Sequence, residues 1–67
     1  MYRRARITAD INIAGFPVKQ GMIFTLQRPK SSTGDYAYVD HDQTLVIMGA
    51  GGETKGVLPP ESFELID

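Results

Sequence analysis

One histidine, His41, stands between Asp40 and Asp42, the only place in 67 residues where an imidazole and carboxylates fall together. Such a triplet suggests proton transfer or metal ligation. A metal centre there would need all three side chains to converge, and consecutive strand residues point to opposite faces. With no cysteine in the chain, thiolate ligands, disulfides and thiol redox chemistry are absent as well. No serine or cysteine nucleophile falls beside His41 by spacing. Asp and His tolerate left-handed turn conformations better than most residues, so residues 40–43 are read as a hairpin turn, with no metal and no cofactor expected. Residues 49–56, Gly-Ala-Gly-Gly-Glu-Thr-Lys-Gly, hold four of the seven glycines and invite a phosphate-loop reading. That motif needs Gly-Lys-Ser/Thr opening a helix. Here Lys55 is followed by Gly56 and a strand, so a mobile hairpin loop is expected.

Two surface constellations remain. Tyr2 with Arg3, Arg4 and Arg6 combines an aromatic platform with basic side chains, the pairing that tracks single-stranded nucleic acid. Phe16 beside Pro17, together with Tyr36, Tyr38 and Pro59, supplies the aromatic and proline side chains typical of protein interfaces. By parity Ala37 and Val39 take the core side of their strand, leaving Tyr36 and Tyr38 on the other face. The charge distribution decides between the two constellations. Residues 1–30 carry +5 and residues 31–67 carry −6 within a net charge of −1. If the first and last strands are neighbours, Arg4 and Arg6 meet Glu64 and Asp67 and much of this split becomes a neutralised seam. Binding to another protein is therefore the leading expectation, and nucleic-acid binding through the N-terminal arginines is the alternative.

The elements that would position these groups are short strands. Residues 5–13 alternate Ala5, Ile7, Ala9, Ile11, Ile13 against Arg6, Thr8, Asp10, Asn12, the period of a half-buried strand. A loop at residues 14–20 and a turn at Lys19-Gln20-Gly21 lead to a second strand at residues 22–28, closed by Pro29. Residues 30–35 contain no apolar side chain and read as loop. Residues 36–40 form a third strand and residues 44–48 a fourth, apolar on both faces as a central strand is. A short Val57-Leu58 segment, a Pro59-Pro60 break and a last strand at residues 63–66 follow. No window shows helical periodicity. Five short strands in a chain this small predict an all-β fold closed into a small barrel, with residues 1–67 as a single domain.

Two segments carry a family resemblance. Residues 56–63, Gly-Val-Leu-Pro-Pro-Glu-Ser-Phe, resemble the Gly-Tyr-Ile-Pro-Ser-Asn-Tyr-Val stretch of SH3 domains. Residues 19–26, Lys-Gln-Gly-Met-Ile-Phe-Thr-Leu, are similar to that family's Lys-Lys-Gly-Asp segment, and Tyr36 stands where the first of two tryptophans usually sits. The resemblance implies a five-stranded SH3-like barrel with a short 3₁₀ turn before the last strand. It does not extend to polyproline binding. No tyrosine occurs between Tyr2 and Tyr36, Ser62 replaces the tyrosine after the 3₁₀ turn, and the 14–20 loop has no acidic residue. The tail, residues 63–67, is also similar to that of type II dihydrofolate reductases, yet residues 45–48, Leu-Val-Ile-Met, stand in place of their polar and aromatic active-site segment. No enzymatic activity is expected.

A folded area of about 4,200 Å² follows from the 7.4 kDa mass. Residues 5–13 are interrupted by Thr8, Asp10 and Asn12, so neither a secretory leader nor a membrane span is expected. A cytoplasmic protein is the consequent expectation.

Overall fold

The computed structural model describes residues 2–26 and 34–67. Among these residues eight strands are found: β1 (Arg4–Ile7), β2 (Ile11–Ile13), β3 (Phe16–Val18), β4 (Ile23–Thr25), β5 (Tyr36–Val39), β6 (Leu45–Met48), β7 (Thr54–Leu58) and β8 (Phe63–Ile66). They form three antiparallel sheets ordered β4-β1-β8, β2-β3 and β5-β6-β7. The all-β expectation holds, and so does the 3₁₀ turn, at Pro60–Ser62. A closed five-stranded barrel does not. Among the described residues one parallel bridge, Leu26 to Ala37, links the two three-stranded sheets, and no longer ladder joins them.

Three local events account for the additional strands. The alternating run at residues 5–13 breaks after Ile7, because the Asp10 carboxylate accepts the Gln20 amide at 2.7 Å and bends the chain. Ala9, assigned to the core by parity, is exposed at that bend. Residues 14–20 are then no simple loop. Gly15, at φ +78°, turns the chain between β2 and β3, so that Phe16 pairs with Ile13 and Val18 with Ile11. Finally, the glycine-rich segment is a hairpin turn from β6 into a full strand β7, which extends the expected Val57-Leu58 back to Thr54. The Gly49 amide donates to the Glu53 carbonyl at 2.8 Å, and Gly52 adopts φ +88°. The end of the second expected strand, Gln27 and Arg28, its Pro29 stop and most of the 29–35 loop lie outside the described residues, as does Lys30.

The core sits between the inner faces. Ala5, Ile7, Val18, Phe24, Ala37, Leu45, Ile47 and Leu58 are buried together. Ala5 on the central strand β1 stands opposite Phe24 on one side and Leu65 on the other, so its small side chain leaves space for both to close over it. The accessible surface is 4477 Å², close to the area that the mass alone predicts. The Cα radius of gyration is 11.0 Å, the value of a folded chain of this length. Among the described residues no helix is long and apolar enough to cross a membrane.

Candidate contact face

Strand register builds an apolar surface on the outside of the β5-β6-β7 sheet. Tyr38 pairs with Val46, and Val46 with Val57; one step along, Tyr36 pairs with Met48 and Met48 with Thr54. Leu45 and Ile47 point inward, so the alternate residues Val46 and Met48 point outward with both tyrosines. Val46 stands between Tyr38 and Val57 in the register and is only 6% exposed. Those two are 43% and 55% exposed. Among the described residues, neither tyrosine hydroxyl has a hydrogen-bond partner. Each ring can therefore offer an apolar face and a polar tip to something outside the chain.

Tyr36 and Tyr38 thus share one face, as their parity requires. The other two residues of that expected group do not join them. Phe16 lies half-buried on β3, edge-to-face with Phe24 at 6.3 Å between ring centres, so it supports the core and is not a free loop aromatic. Pro59 is exposed just beyond Leu58, which aligns with Leu45 and Val39. Tyr36 is at the opposite end of that ladder, three residues or roughly 10 Å along the strands. The Pro59 carbonyl instead accepts the Ser62 amide at 3.1 Å and the Ser62 hydroxyl at 2.8 Å, closing the 3₁₀ turn. Val46, Met48 and Val57 were missed by sequence reasoning. Their signal was the run of apolar residues 45–48 at both parities, read as a strand covered on both sides; among the described residues no second layer covers its outer face.

The arginine group lies on the β4-β1-β8 sheet. Arg4 and Arg6 share its outer face, where Arg6 pairs with Glu64 and stands beside Ile23. The Arg4 guanidinium donates to the main-chain oxygen of Asp67, through Nε at 2.9 Å and also through Nη2. The expected seam between first and last strands is present. Arg3 is not frayed, since its amide donates to the Ile66 carbonyl at 3.1 Å and its carbonyl accepts the Leu26 amide at 2.8 Å. Its guanidinium has no ion partner among the described residues, and Tyr2 is exposed.

A further ion pair joins distant parts of the chain. Lys55 reaches the Asp35 carboxylate at 3.0 Å, with its ammonium 5.1 Å from the centre of the Phe16 ring. Lys55 is the extra residue of an irregularity in the β6–β7 ladder, where Ile47 pairs with Gly56 but Met48 pairs with Thr54. No spacing rule reveals such a bulge.

Residues 40–43 form the expected turn. The Gln43 amide donates to the Asp40 carbonyl and the Asp40 amide to the Thr44 carbonyl, each at 2.9 Å, with Gln43 left-handed at φ +66°. That is a three-residue hairpin loop ending in the left-handed region. Contrary to the expectation from strand alternation, Asp40, His41 and Asp42 do converge. Their ligand atoms lie within 4.8 Å of one another, because strand alternation does not hold in a turn. His41 Nδ1 is 2.7 Å from Asp40 and Nε2 is 3.5 Å from Asp42. Hydrogen bonding from the His41 amide, then from its ring, holds the Asp40 carboxyl below its ordinary 3.8. The triplet is solvent-exposed on a hairpin tip and caps its own turn. No known protein family matches the chain, and neither does any curated protein or solved structure.

Proposed function

We propose that this protein is a non-enzymatic binding module that docks an apolar surface of another protein on the outer face of the β5-β6-β7 sheet. One observation carries the reading: the contiguous row Tyr38, Val46, Val57 crosses all three strands with its two outer members about half exposed. Exposed aromatic and aliphatic side chains flanking a dry centre are the anatomy of an interface core. The nucleic-acid alternative through Tyr2, Arg3, Arg4 and Arg6 loses support, because Arg4 and Arg6 are bound to oxygen atoms of the chain itself. Kinship with SH3-like barrels is supported by the 3₁₀ turn before the last strand and by the β1–β8 pairing, although eight strands stand among the described residues where that family has five.

The test is affinity capture from native lysate, with and without nuclease, comparing the wild-type protein with a Tyr38→Glu, Val57→Glu double variant. A partner that survives nuclease and is lost from the variant is expected. Both substitutions are on exposed positions, and retention of the fold is checked by circular dichroism. A partner retained by the variant, or released by nuclease, overturns the reading.

A further inference from the structure

We infer that the tip of the β2–β3 hairpin is a latched flap, with Lys55 as the latch and Gly56 as the seat. The hairpin is a sheet of its own, with no ladder to either larger sheet among the described residues. A two-stranded ribbon of three-residue strands is not stable alone in water. It is therefore held by its side chains. Ile11, Ile13, Phe16 and Val18 face inward, while Asn12 and Pro17 face solvent. Val18 at the root is fully buried in the core.

The tip is held differently. Ile13 Cδ1 lies 2.6 Å from the point where a Cβ on residue 56 would stand, with Phe16 close by, so the tip rests on strand β7 where a side chain is missing. Over Phe16 lies the Lys55 ammonium, itself anchored by Asp35 ahead of β5. The bulge in β7 that places Lys55 here also brings Gly56 opposite Ile47. One irregularity thus supplies both latch and seat. Local openings of this kind are set by the few contacts that close them, independently of global stability. A part-exposed cation–π contact with one ion pair accounts for a several-fold factor in that equilibrium. Opening the tip would bare Ile13, Phe16 and the backbone of Gly56, an apolar seat distinct from the outer sheet face.

Native-state amide exchange by NMR tests this. Lys55→Met keeps the aliphatic stem and removes the charge. In that variant the Ile13 and Phe16 amides are expected to exchange about fivefold faster, while the Val18, Ala5 and Ile47 amides keep their wild-type rates. Asp35→Asn, which leaves the cation over the ring, should give the same pattern at smaller amplitude. Unchanged exchange at Ile13 and Phe16 in both variants, or acceleration shared equally by Ala5 and Ile47, overturns the flap.

Discussion

The β4-β1-β8 and β5-β6-β7 sheets are alike on the inside and opposite on the outside. Each turns alternate residues of its central strand into one core, Ala5 and Ile7 from β1, Leu45 and Ile47 from β6. The outer face of the first carries Arg4, Arg6 and Glu64, bonded to one another or to the chain terminus-proximal Asp67. The outer face of the second carries Tyr36, Tyr38, Val46, Met48 and Val57. The first is covered chiefly by its own charge pairs, with Ile23 an isolated exposed aliphatic side chain beside Arg6. The second leaves apolar area exposed, and contiguous exposed apolar area on a small domain marks a place of contact.

The largest effects test the likeness of the inner faces. Ile7→Ala and Ile47→Ala should each cost about 3 kcal/mol in urea denaturation, since both side chains are essentially fully buried and neither site can collapse freely. A cost below about 1 kcal/mol at either position would break the equivalence. Smaller effects test the outer faces. Arg6→Ala should cost about 0.5 kcal/mol at low ionic strength and nothing measurable in 1 M salt, as an exposed ion pair is screened. Val57→Thr should be similarly mild but unaffected by salt. Equal salt sensitivity at both sites would erase the distinction between the two faces.

The smallest effect lies in the β5–β6 turn. Because the Asp40 carboxyl titrates lower in the folded state than in the unfolded chain, its contribution is complete above about pH 3.8. It is lost as pH falls through the lower folded value. The wild-type protein should therefore lose slightly more stability between pH 5 and pH 2.5 than Asp40→Asn, whose amide oxygen accepts the same hydrogen bond without titrating. Identical pH profiles for the two proteins would show that the turn gains nothing from the carboxylate.

Much of the fold was legible because strand alternation is written residue by residue. Ala5 and Ile7 inward against Arg6 outward, and Ala37 inward against Tyr38 outward, could be read locally, whereas the 3₁₀ turn at the second proline was implied by the resemblance to SH3 domains. The charge seam was legible too, once the chain ends were placed side by side. The candidate face was only half legible. Tyr36 and Tyr38 follow from parity, but Val57 belongs to the short Val57-Leu58 segment, whose pairing no local rule reveals, and it joins them only through β6. Phe16 stands among the contact candidates because its neighbour is proline and its surroundings read as loop. Pairing with Ile13 turned it toward Phe24.

The sequence by itself determined an all-β chain without cysteine chemistry, with turns at residues 19–21 and 40–43 and core side chains at alternate positions. These depend on the conformational preference of each residue and its immediate neighbours. Only the tertiary structure decided how many sheets there are, which strands pair, where β7 bulges, and that Lys55 reaches both Asp35 and Phe16. Those outcomes depend on contacts between residues far apart in the chain. A register is chosen by the packing of two surfaces at once, and no single segment contains both.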